Sequence, residues 1–210
     1  MILVAESQGP VGVILAGGSG RRIGGGKPTV GLLGRALLRY PLDAMRTALP
    51  EVAVITKADV VMPTLDGAMV WIEADRPAHP LAGVIEALEL AGGRPVLVCP
   101  VDYPFVTSEL LMRLAATPFD GRPVVLAASR GVARPLLGCY RPAAVPLLWQ
   151  AMQREGGLDD VVVALKPVLV EVADELELFD IDTPDDLLQA TAMLDQRHRQ
   201  SRLDQPKVKS

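Results

Sequence analysis

The chain has 210 residues, a formal net charge of −4 at pH 7, a pI near 5.2 and an apolar content of 50%. That length buries a real core in one domain, and the mild acidity excludes broad attraction to nucleic acid or anionic lipid. Apolar runs break at Pro, Gly or charge before spanning length and the N-terminus lacks the basic region of a secretory signal, so a cytoplasmic protein with no membrane partner is expected.

In chain order, Val11, Val13, Ile14 and Leu15 read as a strand buried on both faces, because no polar residue interrupts them. Gly17, Gly18 and Gly20 then free the backbone to turn sharply and to aim consecutive N–H groups at one point, as a loop does when it holds phosphate oxygens. Arg21, Arg22 and Lys27 add fixed positive charge, which suits a nucleoside triphosphate and is hard to explain as a bare turn. A Walker loop ending at Lys27 requires glycine at 21 and Ser or Thr at 28, where Arg21 and Pro28 stand. A dinucleotide fingerprint starting at Gly18 fails at Ile23 and lacks an acid after the second strand, which ends at Thr56 and Lys57.

Residues 30–35 read as short and extended, and helical spacing from Ala36 to Leu49 predicts a helix that ends before Pro50. Buried strands follow at 52–56 and 69–73, so strand, helix and strand point to right-handed βαβ units and a parallel sheet covered by helices. After the third strand, Asp75 is placed to accept two hydrogen bonds from a base edge such as guanine N1 and N2, or to be a solvated carboxylate. A helix is expected over 83–90 and an apolar strand over 95–99. Asp102, at the mouth of that strand, is positioned to hold Mg²⁺ against phosphate oxygens, since Thr107 or Ser108 already serves to cap the next helix. Strands at 124–128 and 136–140 are joined too tightly for a crossover helix, so they should pair antiparallel, with Arg134 either reaching the substrate or lying on the surface.

Helices are expected at 142–154 and 158–165 and a strand at 168–172. Thr183 then caps a helix with Pro184 at its first position and Asp185 and Asp186 in its first turn, where the helix dipole favours acids. Asp180 and Asp182 occupy alternate positions before that cap and face opposite ways, so Asp182 is placed to point inward and complete a metal site. Residues 1–194 read as one domain; 195–210 are nearly devoid of apolar residues and read as a basic, disordered tail. Cys99 and Cys139 sit in apolar runs and read as core residues, and two histidines are too few and too far apart for a His-based metal site.

Taken together, these motifs resemble the GT-A-like nucleotidyltransferases, and most of all the molybdenum cofactor guanylyltransferases. The pattern Leu15-Ala16-Gly17-Gly18, Arg22-Ile23-Gly24-Gly25 and Lys27 matches the family's opening, with Ile23 for methionine and Gly26 alone before the lysine. Pro80-Leu81-Ala82-Gly83 matches the middle pattern, with His79 in place of its first glycine. Cys99-Pro100-Val101-Asp102-Tyr103-Pro104-Phe105 and Asp180-Ile181-Asp182-Thr183-Pro184-Asp185-Asp186-Leu187 match the later ones.

The resemblance implies a Rossmann-like, three-layer α/β/α domain with a mostly parallel sheet and one antiparallel strand pair. It further implies transfer of GMP from GTP to molybdenum-bearing molybdopterin with loss of pyrophosphate, molybdoenzymes or their cofactor-insertion machinery lying downstream. In that reading Leu15, Ala16, Gly17, Gly18, Gly20, Arg21, Lys27, Asp75 and Asp102 hold the nucleotide. Arg22, Lys27 and Asp102 carry the chemistry, and Asp102 with Asp182 holds Mg²⁺. The competing readings are a molybdopterin cytidylyltransferase, another small nucleotidyltransferase, or a nucleotide-binding regulator without turnover.

Overall fold

Uninterrupted runs of Val, Ile, Leu and Ala become the centre of the sheet in the computed structural model, which describes residues 9–18, 26–74, 79–153 and 158–203. Along the chain the elements are β1 (Val11–Leu15), the short strands β2 (Gly31–Leu32) and β3 (Arg35–Ala36), α1 (Arg39–Ala48), β4 (Val52–Thr56), β5 (Met69–Ile72), α2 (Ala82–Leu90), β6 (Val96–Pro100), α3 (Ser108–Ala116), β7 (Val124–Ser129), β8 (Val132–Tyr140), α4 (Val145–Gln153), α5 (Leu158–Leu165), β9 (Val168–Glu171) and α6 (Pro184–Leu203). Seven strands form one sheet in the order β5-β4-β1-β6-β8-β7-β9. β8 runs against both β6 and β7, and every other pair is parallel. The architecture is the expected three-layer, mostly parallel one.

Strand alternation divides the apolar side chains between two faces. Ile14, Val54, Leu97, Cys99, Val125 and Cys139 meet Leu42 and Met45 of α1 and Leu110, Leu111 and Leu114 of α3. Val13, Ile55, Val96, Val98 and Leu126 meet Val84, Ile85 and Leu88 of α2, Leu148 of α4 and Val161 and Leu165 of α5. Full burial of a side chain such as Leu42 stabilises the fold by about 2 kcal/mol. Both cysteines are free and buried, as expected, and burial pushes the Cys139 thiol up to about 12. Among the described residues no helix is long and apolar enough to cross a membrane.

Three sequence expectations are corrected. Helix α1 begins at Arg39 rather than Ala36, because residues 31–36 turn back as a hairpin through Leu33 and Gly34 at φ +50° and +76°. The strand at 69–72 has a core-like composition, yet Val70 is 50% and Ile72 52% exposed, since β5 is an edge strand paired to β4 alone. Residues 195–203 continue α6, where composition predicts a disordered tail. Buried Ala190 and Leu194 anchor that helix, Arg199 pairs with Asp195 one turn back at 2.5 Å, and Arg197 lies 5.3 Å over the Phe105 ring. The remainder of the expected tail, 204–210, lies outside the described residues.

Two glycines let elements approach closely. A Cβ on Gly12 would stand 2.6 Å from Met45 Cγ, so α1 seats against β1 only because that position is bare. On β8, Leu126 faces Gly138 whereas Ala128 faces Ala133, so Ala127 alone stands against residues 134–137 and the strand bulges. Gly138 closes the bulge: a Cβ there would run into the Val125 carbonyl oxygen and lie 3.1 Å from Leu126 Cα. Gly138→Ala is therefore expected to destabilise the protein by about 2 kcal/mol or more. Gly31→Ala, whose Cβ would meet nothing within 4 Å, should change stability by less than about 0.5 kcal/mol, both read from urea unfolding.

Candidate functional site

The chain crosses from one half of the sheet to the other between β1 and β6, which is where an open α/β sheet leaves a crevice at its strand C-termini. The last sheet bonds there are Ala16 N–H to the Ile55 carbonyl at 2.8 Å and Val101 N–H to the Leu15 carbonyl at 3.1 Å. Ala16 thus gives its N–H to the sheet, and the chain is free to turn from Gly17 onward. Gly17 is bare for a steric reason as well, because a Cβ there would stand 2.5 Å from Glu73 Oε2. Gly18 opens onto unfilled space. Gly20, Arg21, Arg22 and Asp75 lie outside the described residues.

At the far end of the glycine-rich segment, Gly26 at φ +63° turns the backbone into a short 3-10 helix, Lys27–Thr29, and buries Lys27. Lys27 Nζ donates to Asp102 Oδ2 at 2.7 Å and to Asp182 Oδ1 at 2.5 Å. Three residues that sequence reasoning took from three separate motifs therefore meet on one nitrogen. Lys27, expected to hold the nucleotide, bridges the two carboxylates.

The scaffold for this bridge is local and identifiable. Asp102 follows β6, and its carbonyl accepts the N–H of fully buried Ile181 at 3.0 Å, which brings the next residue, Asp182, alongside. Thr183 and Asp186 form a reciprocal cap on α6: Asp186 N–H donates to Thr183 Oγ1 at 3.2 Å, and Asp186 Oδ2 accepts from Thr183 N–H at 2.8 Å. The same Oδ2 accepts from Asp182 N–H at 3.1 Å, so the cap also fixes the backbone of the second carboxylate. These donors hold the Asp186 carboxyl below the usual carboxylate range. Thr107 caps α3 through Leu110 N–H at 3.1 Å, as expected, and its hydroxyl also donates to buried Glu177, tying the chain before Asp180 to α3.

Burial pushes the Asp102 carboxyl up against the pull of Lys27, and the Asp182 charge adds to the rise. Lys27 is raised above 10.5, because the charges and hydrogen bonds of Asp102 and Asp182 outweigh its own desolvation. While Asp102 is ionised, the stability that Lys27 draws from the pair is thus full below 10.5 and is lost as pH rises through its raised value. Asp102 Oδ1 is buried and has no hydrogen-bond partner among the described residues.

Asp180 and Asp182 have different neighbours. Asp182 meets Lys27, whereas Asp180 lines a cleft of about 430 Å³ together with Ser129, Arg134, Glu175, Leu176, Leu178 and Phe179. Sequence reasoning missed Glu73 as a wall of the site. Its signal was its position as an acid at the C-terminal end of a parallel strand, where it accompanies Gly17.

Comparison with known proteins gives a consistent result. A family model described as a MobA-like NTP transferase domain matches residues 12–168. The chain is 31% identical over 199 residues to a molybdenum cofactor guanylyltransferase of Rhizobium johnstonii, covering 88% of this chain and 92% of that protein. It is 32% identical over 188 residues to the enzyme of the same description from Acidiphilium cryptum, covering 86% and 93%. In fold it is similar to the molybdopterin-guanine dinucleotide biosynthesis protein A of Archaeoglobus fulgidus, with a TM-score of 0.70, 23% identity and coverage of 88% and 98%. It is also similar to a nucleotidyl transferase from Methanothermobacter thermautotroptrophicus, with a TM-score of 0.73, 21% identity and coverage of 90% and 99%.

Lys27→Met leaves Asp102 and Asp182 facing each other with no cation between them, and should lower unfolding stability by about 2 kcal/mol in metal-free buffer. Adding Asp102→Asn removes the buried charge and should return most of that loss. A denaturant-unfolding cycle over the two positions checks both expectations.

Proposed function

The chain belongs to the MobA-like NTP transferase family, and from that membership we propose that it transfers GMP from GTP to the terminal phosphate of molybdenum-bearing molybdopterin, releasing pyrophosphate. As a member of that family it is a nucleotidyltransferase. The observation that carries the reading is the convergence of Lys27, Asp102 and Asp182 at the sheet's switch point, beside Gly17 and Gly18.

The residues present fit a divalent ion. The buried, unpartnered Asp102 Oδ1 and the Asp182 carboxylate are hard oxygen donors, and Mg²⁺ takes one or two such carboxylates while drawing its other oxygens from phosphate and water. Among the described residues no group of three or more His, Cys, Asp or Glu is placed to hold a metal. When bound, Mg²⁺ supplies positive charge to the reacting phosphate oxygens.

The chain's own groups supply the rest. Backbone N–H groups of Gly17, Gly18 and Gly20 cradle the triphosphate. Arg21, Arg22 and Lys27 carry the charge that develops on the leaving pyrophosphate. Asp75 accepts from the guanine N1 and N2 edge. The attacking phosphate is already ionised at neutral pH, so no general base is needed. A side chain at position 17 would force Glu73 aside, so the bare Gly17 keeps the Glu73 carboxylate against the turn and sets the shape of the nucleotide side.

Incubation with GTP, Mg²⁺ and molybdenum-bearing molybdopterin should release pyrophosphate in step with the guanine dinucleotide product. Asp102→Asn should lower kcat by at least about a hundredfold while the protein keeps a cooperative unfolding transition. Turnover with CTP in place of GTP points to a cytidylyltransferase, and undiminished turnover in Asp102→Asn removes the assigned chemistry.

A further inference from the structure

The nucleotide side of the site accounts for the glycine-rich segment, Lys27 and the paired acids, and leaves unexplained the cleft on the other side of residues 179–182. That cleft, about 430 Å³ and lined by Ser129, Arg134, Glu175, Leu176, Leu178, Phe179 and Asp180, lies within the size range of small-molecule sites. Building on the transferase reading above, we propose that it receives the acceptor, with the Arg134 guanidinium gripping the acceptor's phosphate monoester and Phe179 and Leu178 meeting its planar ring.

Four observations point to this assignment. The bulge opposite Ala127 takes residues 134–137 out of the ladder, which is the device that re-aims a side chain next to a site. The bulge is pinned from inside, because the fully buried Tyr140 hydroxyl donates to the Pro135 carbonyl, the residue after Arg134. Arg134 makes no ion pair with any described residue, whereas its neighbour Arg130 is held by Glu175 at 2.7 Å. Finally, the cleft adjoins the reacting centre through a single stretch of chain, with Asp180 on its wall, Asp182 on Lys27, and Ile181 hydrogen-bonded to Asp102 between them.

Charge balance gives Arg134 a task on the acceptor's side of the reaction. An anionic acceptor must approach a centre that already holds two carboxylates, and Lys27, the buried cation there, is bound to both of them. Asp180 and Glu175 add negative charge on the cleft wall, and Arg130 offsets that of Glu175. A fork of guanidinium donors is the group best shaped to take a phosphate monoester against that field. Phe179 presents a fixed ring for the heterocycle, being held edge-on to Phe105 with ring centres 5.8 Å apart.

The test separates acceptor from nucleotide. With full-length protein, saturating GTP and Mg²⁺, and varied molybdenum-bearing molybdopterin, Arg134→Ala should raise the acceptor KM about thirtyfold and leave the KM for GTP within twofold. Arg134→Lys should recover part of the loss, and Arg122→Ala, which touches the Lys166 carbonyl and not the cleft, should behave as wild type. Equilibrium dialysis of molybdopterin alone should show the same ranking. An unchanged acceptor KM, or a GTP KM that rises in parallel, overturns the assignment. If the wild type binds molybdopterin through Arg134 but does not turn over GTP, the guanylyl reading falls and the acceptor cleft stands. If GTP turns over and acceptor binding ignores Arg134, only the cleft falls.

Discussion

One ammonium group holds the site together. From a 3-10 turn, Lys27 reaches Asp102 at a strand end and Asp182 at a helix entry, all distant in sequence, and among the described residues it links the two carboxylate side chains. Two acids this close repel unless a cation lies between them, so their approach depends on Lys27 or on something with at least its charge. The rest of the local structure serves that approach. β6 delivers Asp102, Ile181 docks on the Asp102 carbonyl, and the Thr183 and Asp186 cap fixes the Asp182 backbone.

Much of this was legible in the chain. β1, β4 and β6 read directly, because a strand covered on both faces has no polar break, and the α6 cap read directly because Thr-Pro-Asp-Asp is a helix start in chemical terms. Asp102 and Asp182 were found as separate motifs, and the fold supplied their meeting. Edge position was not legible: Met69–Ile72 has the same composition as a central strand, and only topology tells that nothing lies beyond it. Nor was the length of α6, since 195–203 hold a single apolar residue, Leu203, and are held by Arg197 and Asp195, through contacts that composition does not weigh. Strand β8 begins at Val132, ahead of the expected 136, because Pro135 masks a strand that bulges around it.

The site divides along residues 179–182. On one side lie the glycine-rich segment, the lysine bridge and the wall made by Glu73; on the other lies the cleft entered by Arg134. Phe179 and Asp180 line the cleft and Asp182 meets Lys27, so this one short stretch borders both. Bond formation between two anions needs them to be brought from opposite directions to one phosphorus, and such a partition provides two separate approaches.

The order in which the chain supplies these parts matters for how the protein matures. Every strand of the sheet has been made by Glu171, but Asp182 comes later, and its backbone is fixed by a cap that exists only once α6 has formed. During synthesis, a nascent chain still tethered to the ribosome would already own its scaffold and its first carboxylate while lacking the second. In chain order the second carboxylate is therefore set after the sheet, at the entry to α6.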